Sequence, residues 1–129
     1  MKINSKEIEN VSKLTPFSRY KYFIKRIVDF DEIWTITKKN GEIALAKIDN
    51  KYLISFWPAK QYIKNNLQNE WRDYIPVKLS FNDFDKFILP LIEKNKYLIN
   101  IFPVNGKSGF VVELDEFLRD IKDELKNYS

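Results

Sequence analysis

The side chains available for chemistry are carboxylates, lysines, tyrosines and one Gly-Lys-Ser triplet, because the 129 residues include no His and no Cys. Those absences exclude Ser-His and Cys-His nucleophilic pairs, a His-ligated metal, a Cys-rich zinc site and any disulfide. The commonest acid–base group near neutral pH is missing with them. Three acidic clusters remain: Asp29, Asp31 and Glu32; Asp83 and Asp85; and Asp120, Asp123 and Glu124. Paired carboxylates can exchange protons or hold Mg²⁺, so a carboxylate-based enzyme is one reading of the chain. Asp83 and Asp115 fall at helix starts, where the helix dipole already accounts for them. The triplet Gly106-Lys107-Ser108 is not a phosphate-binding loop. That motif needs a Gly at position 101, where Ile stands, and a following helix, where a strand run follows. The expectation is therefore no catalytic residue, no cofactor and no metal.

Aromatic and basic residues carry binding chemistry instead. Trp57 closes a strand in Ser55-Phe56-Trp57-Pro58, Tyr62 follows on a helix, and Trp71 comes after Glu70 in a polar stretch. A Trp buries a large area, so packing is the first use of each, and Trp34 is assigned to the core among its strand neighbours. Trp57, Tyr62 and Trp71 form the candidate surface for a protein partner, with one edge left open. Arg19, Lys25 and Arg26, with Lys21 and Tyr22 among them, form a candidate basic face. Residues 1–66 hold 13 Lys+Arg against 7 Asp+Glu, and residues 67–129 hold 9 against 11, so the net charge of +4 is concentrated in the first half. A basic half admits a nucleic-acid reading; a solvated outer face is the simpler one.

The elements that position these residues follow from spacing. A short helix is expected over 5–13. Thr15-Pro16 starts a second, with Thr as cap and Pro at the first helical position. Phe17, Tyr20, Ile24, Ile27 and Val28 form its apolar face and Arg19, Lys25 and Arg26 lie away from it. Residues 33–37 read as a strand, and Asn40-Gly41 predicts a type I′ hairpin turn with positive φ at both positions. Strands follow at 42–48 and 52–56, with a turn at Asp49-Asn50-Lys51 between them. Pro58 opens a helix to about Leu67, and residues 77–79 read as a short edge strand. Ser80 caps a helix that Pro90 must kink, since Pro90 has no N–H for residue 86. Residues 97–102 and 110–112 read as hairpin arms. Asp115 caps a last helix with Leu114, Phe117, Leu118, Ile121 and Leu125 as its stripe and an Arg119–Asp123 surface pair. The fold class is α+β: one mostly antiparallel sheet of about five strands, from a meander over 32–57 and a hairpin over 97–112, with helices packed on it. Length predicts one domain over residues 1–129. The opening residues carry no apolar run and no stretch is long enough to cross a membrane, so a cytoplasmic protein is expected.

Several residues together carry a resemblance. They are Tyr22-Phe23-Ile24 to Val28, Ile33-Trp34, Asn40-Gly41-Glu42, Phe56-Trp57-Pro58-Ala59, Glu70-Trp71, Pro76, and Phe84 with Leu89-Pro90-Leu91. Over about residues 15–125 the chain resembles the uncharacterised bacterial family filed as domain of unknown function 2750. The most specific piece is a strand ending in Trp-Pro, a helix, and a second Trp. The resemblance implies a small stand-alone protein with no established activity or cofactor, so no catalytic residue is carried over. The functional expectation is a non-enzymatic protein-interaction domain, of which an immunity-type or regulatory inhibitor of a toxin or enzyme is one form. The alternatives are nucleic-acid binding through the basic half and a carboxylate-based enzyme.

Overall fold

Two patterns organise the chain: helical apolar spacing over residues 16–30 and 114–125, and short β-branched and aromatic runs over the central strands. The structure, a computed structural model, describes residues 3–64, 73–104 and 107–128. Helix α1 spans Ser5–Ser12, and its Asn4 cap accepts from the Glu7 N–H at 2.8 Å. Helix α2 spans Pro16–Phe30; Thr15 caps it and Pro16 opens it, as the sequence predicts. Strands β1 (Ile33–Thr37), β2 (Leu45–Ile48) and β3 (Lys51–Phe56) follow, then the short helix α3 (Lys60–Lys64). Helix α3 starts two residues after Pro58, which therefore lies in the turn rather than at the first helical position. The expected run of that helix to Leu67 passes outside the described residues.

Strand β4 (Ile75–Leu79) is the predicted edge strand and pairs antiparallel with β1. Ser80 and Asp83 form a reciprocal capping box at the start of the next helical segment. Pro90 is accommodated by a change of helix type rather than by a simple kink. A first turn α4 (Phe81–Asp83) passes into a π-helical stretch over Phe84–Ile88, in which the Leu89 N–H reaches the Phe84 carbonyl, and α5 runs over Leu89–Asn95. Widening the ladder before the proline re-registers it where the Pro90 donor is missing. Phe84, Ile88 and Ile92 stay buried, and Phe87 is exposed.

Strands β5 (Leu98–Ile101) and β6 (Phe110–Val112) form the second hairpin, and helix α6 spans Leu114–Leu125. Glu113 rather than Asp115 occupies the cap position of α6, without a side-chain capping bond; Asp115 lies in the first turn. Leu125 is exposed, so the buried stripe of α6 ends earlier than expected. Arg119 pairs with Glu116 and Asp120, and Asp123 pairs with Lys126, in place of the expected Arg119–Asp123 pair.

The sheet is α+β in class, but divided and mixed rather than one antiparallel layer. Four strands run in the order β2-β3-β5-β6, and β3–β5 is parallel, with Phe56 opposite Ile101. The chain between β3 and β5 contains α3, β4 and α5, a crossover long enough to return it in the same direction. β1 and β4 make a second, two-stranded ladder, tied to the end of β3 by a Trp34–Trp57 bridge with bonds of 2.9 and 2.8 Å. The expected meander is thus bent. Residues 43 and 44 stay with β1 through the Thr37–Ile43 bridge and the Ala44 N–H to the Ile36 carbonyl, and β2 then leaves it for β3. The positive-φ pair belongs to Asp49 (φ 49°) and Asn50 (φ 67°), between paired Ile48 and Lys51; at the other turn only Gly41 (φ 92°) is left-handed.

Ile54, Phe56, Ile99, Ile101 and Val112 point into the core against α2 and α6. Phe117 of α6 is the hub, with ring centroids 6.1 Å from Phe23, 6.3 Å from Phe56 and 5.7 Å from Phe84. Among the described residues no helix is long and apolar enough to cross a membrane.

Candidate functional site

Strand β3 ends at Phe56, Trp57 follows in its bridge to Trp34, and the chain then turns into α3, which folds Tyr62 and Ile63 onto the same core. Trp57 is fully buried, at 0% exposure, and its indole Nε1 donates to the Pro103 carbonyl at 2.9 Å. Tyr62 is 1% exposed, with its ring 4.7 Å from Phe102 and its hydroxyl 3.0 Å from that of Tyr22. The expected open edge is therefore corrected for both residues: they close the junction of β3, α3 and the end of β5. Trp71 lies outside the described residues. Trp34 is half-buried, and its indole donates to Glu32 at 2.5 Å.

The basic face is also corrected. The residues that α2 buries are Arg19, Tyr20, Phe23, Ile24 and Ile27, a stripe rotated from the expected one, and Phe17 is left 52% exposed. Arg19, 4% exposed, donates through Nε to the Phe102 carbonyl at 3.0 Å and through Nη1 to the Leu14 carbonyl at 2.5 Å. Burial pulls its pKa below the ordinary arginine value. Arg26 is partly buried and pairs with Glu7 at 3.6 Å, leaving Lys25 exposed. Arg19 holds an unusual backbone. Phe102 has φ 62°, a left-handed conformation that costs a bulky residue about 1–3 kcal/mol. The Phe102 N–H bonds the Phe56 carbonyl at 2.9 Å, so Arg19 and Phe56 fix the two sides of this residue and Trp57 fixes the next.

What the rotation of α2 exposes is a groove. Tyr20 of α2 donates to Asp120 Oδ2 of α6 at 2.6 Å, and Phe23 meets Phe117. The two contacts run in opposite sequence order, so α2 and α6 lie antiparallel. Beside them, at the outer end of the four-stranded sheet, Phe110 sits 4.8 Å from Tyr20 and 5.3 Å from Phe17, ring to ring. The resulting open groove holds about 500 Å³, with Phe17, Tyr20, Ile24 and Phe110 as its apolar floor. Lys21 and Lys25 line the α2 rim, and the Lys21 ammonium lies 5.1 Å above the Phe17 ring. Glu116, Asp120 and Glu124 line the α6 rim with Arg119, which pairs in place with Glu116 and Asp120 at 3.5 and 3.7 Å. Burial, and then the bond to Asp120, push the Tyr20 phenol well above its ordinary pKa.

The acidic residues weighed for catalysis are dispersed. Asp31 accepts from the Phe81 N–H at 2.7 Å, Asp83 belongs to the Ser80 capping box, and Asp120 holds Tyr20. Among the described residues no three acidic side chains gather to hold a metal ion. What the surface offers is an apolar groove with rims of opposite sign.

Residues 20–121 match the family described as Protein of unknown function (DUF2750). The chain belongs to the DUF2750 family. The match takes in 102 of the 129 residues, counting 20 to 121, and it agrees with the resemblance carried by the Trp-Pro junction. No curated protein matches the chain. The DUF2750 match spans most of the groove (Tyr20, Ile24, Phe110, Glu116 and Asp120) and stops short of Phe17 and Glu124.

Of the candidate residues named from sequence, the groove takes up Lys21 and Lys25 of the basic face and Asp120 and Glu124 of the last acidic cluster. Phe17, Phe110 and Glu116 were not named as site residues. One signal for the acidic rim was present: Glu116, Asp120 and Glu124 recur every four residues and so share one helix face.

Proposed function

We propose that this chain is a non-enzymatic protein-interaction domain, of the kind that blocks a toxin or an enzyme as an immunity-type or regulatory inhibitor, acting in the cytoplasm. The observation that supports this reading is Phe17. A large aromatic left half in solvent above a floor of Tyr20, Ile24 and Phe110 is an anchor position for a partner side chain. The rims define the partner's chemistry: an apolar side chain for the floor, with acidic groups toward Lys21 and Lys25 and basic groups toward Glu116 and Glu124.

The nucleic-acid alternative rests on the charge excess of residues 1–66, and the candidate basic face on α2 adds little to it. With Arg19 buried and Arg26 paired to Glu7, the basic face reduces to Lys21 and Lys25, which stand across the groove from three acids. The test is affinity capture with the wild-type chain and a Phe17→Asp variant as parallel baits. A partner held by the wild type and lost by the variant supports the reading. Equal capture by both baits moves the interaction away from this groove, and no specific partner at any bait concentration sinks the interaction reading.

A further inference from the structure

The groove is self-complementary, and the geometry points to a second copy of this chain as its occupant, in a two-fold dimer whose axis runs along the groove. The inference rests on the reading of the groove as a protein-docking surface and names what fills it. Lys21 and Lys25 give the α2 rim two positive charges, and three acids offset by Arg119 give the α6 rim a net two negative charges. A two-fold axis along the groove lays the α2 of one copy over the α6 of the other, so each positive rim meets a negative one. An axis across the groove would set like rims together.

The register follows from the intramolecular contacts. Tyr20 is level with Asp120 and Phe23 with Phe117, so residues whose numbers sum to 140 share a height along the antiparallel pair. Rotation about the groove axis keeps that height. Lys25 of one copy then lies within one residue, about 1.5 Å of helical rise, of Glu116 in the other, and Lys21 bears the same relation to Asp120. The two Phe17 rings come to one height on either side of the axis, where each covers apolar floor that the other copy leaves in solvent. Lys25 is exposed and Glu116, beside Arg119, is about half exposed, so both are open to the groove.

Sedimentation equilibrium of the full chain and its charge-reversed variants tests this. The wild type is expected at twice 15.5 kDa. Lys25→Glu alone and Glu116→Lys alone each convert two symmetry-related attractions into repulsions and weaken the dimer on the order of ten-fold or more. Mixed in equal amounts, the two variants restore a dimer, because every cross pair is again of opposite sign. Phe17→Asp, with an unchanged circular dichroism spectrum, is expected to be monomeric. A wild type still monomeric at about 1 mM, or paired variants that fail to rescue each other, overturns the inference. If the wild type is monomeric and Phe17→Asp still loses a captured partner, the docking reading stands and only the second copy falls. If Phe17→Asp alters neither association nor capture, both fall.

Discussion

Replacing Arg19 with methionine separates two opposed accounts of a buried cation. Exchanging a buried charge for a well-packed apolar side chain is often neutral or stabilising by about 1–4 kcal/mol, because desolvating the ion is costly. At this site, however, the guanidinium is what satisfies two main-chain carbonyls. The Nε bond to the Phe102 carbonyl is buried, and losing it leaves that oxygen without its donor at a cost of about 2 kcal/mol. The Nη1 bond to the Leu14 carbonyl is partly buried, and its loss costs about 1 kcal/mol, since water can replace it. Met preserves most of the aliphatic stem, so the packing term is small. The expected destabilisation is therefore about 3 kcal/mol, a large share of the 5–15 kcal/mol that holds a domain of this size together. With a urea slope near 2 kcal/mol per M, the unfolding midpoint falls by about 1.5 M with the slope unchanged. Arg19→Lys keeps the charge but cannot span both carbonyls, and should lose about half as much. A methionine variant within about 0.5 kcal/mol of the wild type, or more stable than it, would refute the assignment of Arg19 as the clamp on Phe102.

Other positions make independent demands. A Cβ on Gly109 would lie 2.0 Å from the Ile101 carbonyl oxygen and 2.8 Å from the Pro103 nitrogen, both backbone atoms; Gly109→Ala should cost upward of about 3 kcal/mol in thermal or urea unfolding. Trp57→Phe removes the donor to the Pro103 carbonyl and should cost about 2 kcal/mol, read as a lowered urea midpoint. Burial raises the pKa of Tyr20, Tyr22 and Tyr62 above the ordinary tyrosine value of 10.0, with further contributions from the Asp120 bond at Tyr20 and the Glu7 bond at Tyr22. The unfolded chain then releases these protons first, so their contribution to stability is intact below about pH 10 and declines as pH rises further. Urea midpoints at neutral and alkaline pH, with phenolate absorbance of the native protein, read this directly; three tyrosines ionising normally in the folded state would contradict it.

Local rules carried as far as local chemistry did. Thr15-Pro16 and Ser80 with Asp83 were legible as helix starts because a cap is a contact within one turn, and both caps form. Pro90 announced a break in its helix, but whether a ladder kinks or widens depends on what its flanks must bury. Here Phe84, Ile88 and Ile92 all have to face the core, and the π turn lets them. Asn40-Gly41 and Asp49-Asn50 offered similar turn chemistry. The second pair took the two-residue turn because β2 and β3 close directly across it, whereas β2 leaves β1 after Ala44. The parallel β3–β5 pairing was hidden because it joins segments separated by a crossover of more than forty residues, and no local pattern encodes which edge a returning strand will find.

The orientation of α2 decides which of its residues reach the surface, and it differs from the one that apolar periodicity predicts. One stripe takes Phe17 inward and sends Arg19 out. The other buries Phe23 completely and carries Arg19 in with it, since residues 19, 23 and 27 stack on one face. Counting apolar side chains favours the first by exchanging a charge for a phenyl ring. The fold takes the second because the end of β5 presents a carbonyl that needs a donor: Phe102, held left-handed before Pro103, directs its oxygen at position 19. A long-range backbone requirement thus sets the rotation of the helix, and the rotation leaves Phe17 beside Phe110 as an apolar floor between oppositely charged rims. Burying the arginine and exposing the aromatic are one event. A sequence reading that treats Arg19 as surface charge must therefore miss Phe17 as surface apolar area, and with it the groove.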